Sequence, residues 1–170
     1  MASSILLVLT LAAYCSNVFA NHLTDCPEAD KQDCPCLEKL RRAMVDCYKN
    51  PGCIDGVCGP YRIIPQYYAG CHCPTINGRC LKPELCDEEC PEFKKNFVEC
   101  TNNQHCAQRC VTAYQKRYEK QIKKCRGETD CARKLHAHVL GPFNCTGEIH
   151  PTFLKRFNSA DLCPCETYEK

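Results

Sequence analysis

Twenty of the chain's 170 residues are cysteine, and no other feature limits the fold so strongly. A cysteine content above roughly 8–10% marks a disulfide scaffold in a secreted chain, and a reducing compartment would hold such a set as thiols. Residues 1–20 read as a secretory signal: Ile5 to Ala13 form an apolar core and Val18-Phe19-Ala20 ends on a small residue, although no Lys or Arg precedes the core. The mature chain then starts at Asn21 and keeps 150 residues with 19 cysteines, Cys15 having left with the signal. An odd number leaves at least one Cys without a partner in its own chain, as a free thiol or in an intermolecular disulfide. No later apolar run approaches the ~18 residues that span a bilayer. A net charge of +2 with both signs interspersed argues against nucleic acid as the main partner. The expected setting is extracellular.

Along the chain, residues 21–33 form a polar N-terminal extension, 34–157 the main domain with a Cys-rich insert at about 71–99, and 158–170 a tail carrying Cys163-Pro164-Cys165. Asp33 and Pro35 start a helix on which Leu37, Leu40, Met44 and Cys47 share one apolar face, with Glu38, Lys39, Arg41 and Arg42 lying elsewhere and Glu38 read as solvated. Between Cys53 and Cys80, closely spaced Gly and Pro residues among Ile63, Ile64, Tyr67 and Tyr68 predict a small irregular β region, with Asn77-Gly78 as a hairpin turn. Short helices follow near Pro83 and from Pro91. Asn102 or Asn103 then caps a long helix, about 104–125, with Cys106, Cys110, Tyr114, Tyr118, Ile122 and Cys125 inward. Thr129 or Asp130 caps a helix over 131–140 that Gly141-Pro142 ends, and a last turn spans 151–157. The fold class is mainly α with a small β element (α+β), stapled by disulfides.

The Cys71-His72-Cys73 triplet near Cys80 invites a metal reading, but zinc sites use paired C-x2–4-C knuckles, and none is arranged so here. Cystines are the expectation, with no metal and no cofactor. His136 and His138 lie two apart on a helix and point to different faces, so they cannot chelate together. Cys53 with Cys58, and Cys100 with Cys106, are the short loops whose pairing is guessable. Asn144-Cys145-Thr146 is a glycosylation sequon at Asn144 with a Cys in its middle position. Ser159 is the only serine after the signal, which removes most serine-nucleophile mechanisms.

Three ordered motifs carry a resemblance. Cys58-Gly59-Pro60-Tyr61-Arg62-Ile63 followed by Tyr67-Tyr68 resembles the Cys-Gly-x-Phe/Tyr-Gln-Ile…Tyr-Trp segment of the invertebrate-type (destabilase-like) lysozymes. Cys100, Cys106, Cys110, Val111, Tyr114, Arg117 and Tyr118 follow that family's C-x5-C-x3-C-V-x-x-Y-x-x-R-Y helix, and His138, Gly141, Pro142 and Cys145 are similar to its His-x-Gly-Gly-Pro-x-x-Cys ending. Cys36-Leu37, Ala43-Met44 and Cys47 also line up with its first helix. The resemblance covers residues 34–157 and implies a lysozyme-like domain.

It also implies cleavage of the β-1,4 link between N-acetylmuramic acid and N-acetylglucosamine in peptidoglycan. That chemistry needs a protonated Glu on one side of the bond and an ionised Asp on the other, about 5–5.5 Å apart in a retaining enzyme. The family's acid falls at Met44, which has no proton to give, and two of its cysteines fall at Lys39 and Arg41. The loop that carries its Asp is shortened to residues 53–58, so Asp55 is either a displaced equivalent or a turn residue before Gly56. Glu38 lies 240° round the helix from position 44 and faces away. The family's second activity, isopeptide hydrolysis by a Ser and a His, retains only His138. Tyr61, Tyr67 and Tyr68 either line a glycan cleft or pack the β region.

Three functions remain open. The first, favoured by the missing acid, is a lysozyme-like protein that binds peptidoglycan or another glycan with degenerate or lost muramidase activity. The second is an active lysozyme in antibacterial defence or digestion, working through Asp55 and another donor. The third is a non-enzymatic disulfide-rich effector or inhibitor.

Overall fold

The computed structural model describes residues 23–26, 34–45 and 49–159. The signal, Asp33, Cys47 and the tail cysteines therefore lie outside the described residues. Among these, strand β1 (Leu23–Asp25) is followed by helix α1 (Cys34–Met44), strands β2 (Cys53–Ile54) and β3 (Val57–Cys58), and helix α2 (Pro65–Gly70). Strand β4 (Arg79–Leu81) and a 3-10 turn (Pro83–Leu85) lead into α3 (Pro91–Asn102) and α4 (Gln104–Arg117). The chain continues through α5 (Glu119–Ile122), α6 (Asp130–Leu140) and α7 (Pro151–Phe157). It is a disulfide-rich α+β domain of mainly helical content.

Two small antiparallel pairings make up the β element. β2 and β3 pair Cys53 with Cys58 and Ile54 with Val57. Their two-residue connection puts Asp55 and Gly56 at φ 51° and 75°, the doubly positive turn that matches strand twist and that Asp-Gly sequences favour. β1 pairs with β4, Leu23 opposite Leu81, so the N-terminal extension adds a strand beside the insert. The Asn77-Gly78 turn is also present, with the Gly78 N–H donating to Thr75 O at 3.1 Å.

Residues 65–70 are helical rather than extended. Pro65 occupies the first helical turn, where its fixed φ and missing N–H suit a helix start, and this outweighs the β preference of Tyr67 and Tyr68. The predicted 104–125 helix is interrupted at Tyr118 (φ −104°, ψ 20°), which separates α4 from α5. Asn103 caps α4 by accepting from the Cys106 N–H at 3.0 Å, and Thr129 caps α6 through Ala132 N–H at 3.1 Å.

Seven disulfides join described residues: Cys26–Cys80, Cys36–Cys131, Cys53–Cys58, Cys71–Cys110, Cys73–Cys86, Cys100–Cys106 and Cys125–Cys145. No described cysteine is free. Cys71 and Cys73 thus leave on separate cystines, one to α4 and one into the insert. Cys36–Cys131 ties α1 to α6 across 95 residues; closing so long a loop stabilises by about 4–5 kcal/mol in the chain-entropy model. The core is built from Leu37, Leu40 and Ala43 of α1, Tyr68 of α2, Phe93 and Phe97 of α3, Val111 of α4 and Leu135 of α6, all buried. Tyr68 meets Phe93 edge-on with ring centroids 5.2 Å apart.

At one seam the β hairpin presses directly on α3. Gly59 (φ 70°) lies so close to Thr101 that an added Cβ would fall 1.8 Å from its carbonyl oxygen, so this position of the Cys-Gly motif admits only glycine.

Candidate functional site

α1 decides what faces the groove, and it does not present one apolar face alone. Leu37, Leu40 and Ala43 are buried, but so are Glu38, Arg41 and Arg42, which corrects the expectation that Glu38 is solvated. The physical reason is that α1 is enclosed by polar partners on both flanks. On the α4 side, Arg41 pairs with Glu38 (Nη2 to Oε2, 2.9 Å) and donates from Nη1 to Gln104 Oε1 at 2.7 Å. Gln108 Nε2 donates to the other carboxylate oxygen of Glu38 at 3.2 Å. On the α7 side, Arg42 donates to the carbonyl oxygens of Arg156 (2.9 Å), Phe157 (3.3 Å) and Ser159 (2.6 Å). Phe157 O belongs to the last turn of α7, whose carbonyls lack intrahelical partners, and Ser159 O lies just beyond it.

Beyond the end of α1 lies a cleft of about 740 Å³. Met44 sits in it, half-buried, together with Val57, Arg62 and Ile64 from the hairpin and its exit. α2 supplies Gln66 and Tyr67, and Tyr114 and Tyr118 come from the end of α4 and the break after it. His138, Val139 and Leu140 belong to α6, Gly141 to Phe143 follow it, and Phe153 and Arg156 come from α7. One wall is aromatic: Tyr67 stacks on Tyr114 at 3.7 Å, Tyr114 leans on Tyr118 at 4.7 Å, and Tyr118 meets Phe143 edge-on at 5.9 Å. Phe143 is 73% exposed, an unusual position for a large apolar ring. Gly70 makes the stack possible, since a Cβ there would sit 2.7 Å from the Tyr114 ring.

The sequence candidates divide between the cleft and the interior. Tyr67 and His138 line the cleft, and Met44 does too. Tyr61 and Tyr68 do not: both are fully buried, a correction to a glycan-facing role for them. Tyr68 instead donates its hydroxyl to Pro74 O at 2.7 Å, and its ring fills the core. Asp55 is exposed at the hairpin tip and is absent from the cleft lining, as its turn geometry requires. Asn144 is exposed, next to the buried Cys145. Among the described residues, no carboxylate lines the cleft, and its charged lining residues are Arg62 and Arg156.

His138 is held rather than poised. Its Nε2 lies 2.8 Å from Tyr61 O, and a carbonyl only accepts, so this nitrogen carries the proton. Its Nδ1, 3.0 Å from the Tyr67 hydroxyl, is then the acceptor. Burial pushes the imidazole below its usual 6.5, with the bond to Tyr61 O opposing the shift. The phenols around it stay protonated: burial, then Tyr114 nearby, drives Tyr67 well above the usual 10, and burial with Tyr118 pushes Tyr114 up to about 12. His138 therefore ties Tyr67 to the Tyr61 backbone, with both nitrogens engaged. The only described serine, Ser159, uses its carbonyl to hold Arg42.

Sequence reasoning passed over Arg62, Tyr114, Tyr118, Phe143 and Arg156 as cleft residues. The fourfold spacing that marks Tyr114 and Tyr118 reads as a core face, and only the helix break at Tyr118 turns it into a wall. Among the described residues, no group of three His, Cys, Asp or Glu side chains is placed to hold a metal ion. No helix among them is long and apolar enough to cross a membrane.

No curated protein and no solved structure matches the chain. The family model described as Destabilase matches residues 31–160, a span that takes in α1, the hairpin, the cystine-linked helices and every residue lining the cleft, and the chain accordingly belongs to the destabilase family of invertebrate-type lysozymes.

Proposed function

We propose that this protein is a secreted member of its family that engages bacterial peptidoglycan through the cleft beside Met44 without hydrolysing it. The family supports the coarser statement, a lysozyme-like protein acting on peptidoglycan. The finer one rests on a single observation: among the described residues, no Asp or Glu lines the cleft. Loss of general-acid catalysis alone costs roughly 10²–10⁴-fold in rate. The carboxylate of Glu38 on α1 is spent on Arg41 and Gln108 in the interior, so it does not replace the missing donor. Asp55 at the hairpin tip supplies no partner across a bond held in the cleft.

Two measurements test this. Purified mature protein should leave the turbidity of a bacterial cell-wall suspension unchanged while being retained saturably on insoluble peptidoglycan. Met44→Glu should also remain inactive, because it restores one carboxyl where two are needed. Lysis by the unaltered protein, abolished in Asp55→Ala, would establish the active-lysozyme reading instead. Absence of retention would favour the effector or inhibitor reading.

A further inference from the structure

The chain contains nine arginines. Seven of them, Arg41, Arg42, Arg79, Arg109, Arg117, Arg126 and Arg133, donate side-chain hydrogen bonds to other groups of the protein. Arg62 and Arg156 are the two that make no such bond or ion pair with any described residue, and both line the cleft. They enter it from different elements, Arg62 at the hairpin exit and Arg156 on α7. Arg62 is moreover held at φ 53°, a left-handed conformation that costs a residue with a Cβ roughly 1–2 kcal/mol. The turn that imposes it is fixed by Arg62 N–H to Gly59 O (3.1 Å) and by the paired bonds between Cys58 and Ile63. Strained backbone of this kind gathers where a side chain is being aimed. In the motif that this segment resembles, the same position is Gln.

Among the described residues the cleft carries positive charge and no negative charge. We infer that it selects anionic glycans: a sugar ring lies against Tyr118 and Phe143 while a carboxylate or sulfate of the same glycan pairs with Arg62 and Arg156. This rests on the reading that the cleft binds peptidoglycan and adds the chemical class of the ligand. Guanidinium suits it, since its planar fork meets a carboxylate or sulfate with two donors, and the aromatic wall supplies the apolar face that sugar C–H groups need. Among the described residues, no cleft carboxylate opposes the anion.

The full mature protein is titrated with three soluble probes: peptidoglycan fragments with free stem-peptide carboxylates, the same fragments with those groups amidated, and neutral chitohexaose. A sulfated glycan, heparin, forms a fourth arm. The free-carboxylate fragments should bind about tenfold tighter than either uncharged probe, the scale of one charge-assisted hydrogen bond, and should weaken as salt rises. Arg62→Gln and Arg156→Gln should each remove most of that preference, and Lys155→Gln, which deletes an exposed charge of α7 outside the cleft lining, should leave it intact. Arg156 is exposed, so its variant remains informative if the turn at Arg62 does not tolerate change. Retention on peptidoglycan with equal affinity for charged and amidated probes overturns the anion preference and leaves the binding reading standing. Heparin binding that needs both arginines, without retention on peptidoglycan, overturns the binding reading and keeps the preference. Failure of all four probes overturns both.

Discussion

The two flanks of α1 hold opposite chemistry. Toward α4, a carboxylate and a guanidinium are sealed together with two glutamine side chains; toward the cleft, a thioether stands among aromatic rings with two arginines and, among the described residues, no acid. A general acid needs a neutral carboxyl at the surface where substrate lies. Here burial and the carboxylate are present on one flank and access on the other, never both on the same one. The difference teaches that the inventory of a helix says little about catalysis until each side chain is assigned to a flank.

The comparison can be broken most forcefully at Glu38. Replacing it with Ala strands the Arg41 charge in the interior, and unfolding in urea should reveal a loss of about 3–5 kcal/mol. The double variant Glu38→Leu/Arg41→Leu should recover most of that loss, because an apolar pair asks for no partner. Unchanged stability in the single variant would mean that the interior pair contributes nothing to the fold.

A smaller effect, the pH-dependent advantage of burying a neutral imidazole, concerns His138. Its depressed pKa means the unfolded chain binds the extra proton first, so its contribution is complete above pH 6.5 and is lost as pH falls below that value. His72 shifts in the same direction through partial burial and Arg117, so the informative quantity is a difference. Wild type minus His138→Gln should shrink between pH 7.5 and 5 in paired denaturant titrations.

Tyr67→Phe is the mildest change. It removes only the hydroxyl that His138 accepts from, for about 1 kcal/mol, and should leave glycan retention unaltered, because the ring stays in the wall. A large loss of retention would reassign that hydroxyl to the ligand.

Much of the architecture was legible from residue pattern. Asn103, Thr129 and the Gly141-Pro142 stop bound their helices as capping chemistry predicts, and Cys53–Cys58 and Cys100–Cys106 are bonded as their short loops suggest. What pattern could not deliver was α1 and α2. Periodicity assigns charged residues outward, and nothing local to Glu38, Arg41 and Arg42 says that Gln104, Gln108 and the end of α7 will arrive to satisfy them. Pro65 punctuates the chain in either structure, and only its place in a first turn makes it a helix start. The site divided the same way: the absence of an acid at Met44 was visible in one dimension, whereas Tyr114, Tyr118, Phe143 and the two unpartnered arginines become neighbours only through folding.

Arg42 couples the two lips of the groove. Its guanidinium grips the carbonyls at the end of α7, so the lip bearing Phe153 and Arg156 hangs from the same helix that presents Met44. Any cargo tugging on Arg156 therefore pulls on α1 itself, and through Cys36–Cys131 on the helix that carries His138. Floor and rim are thus joined through Arg42, a residue outside the cleft lining.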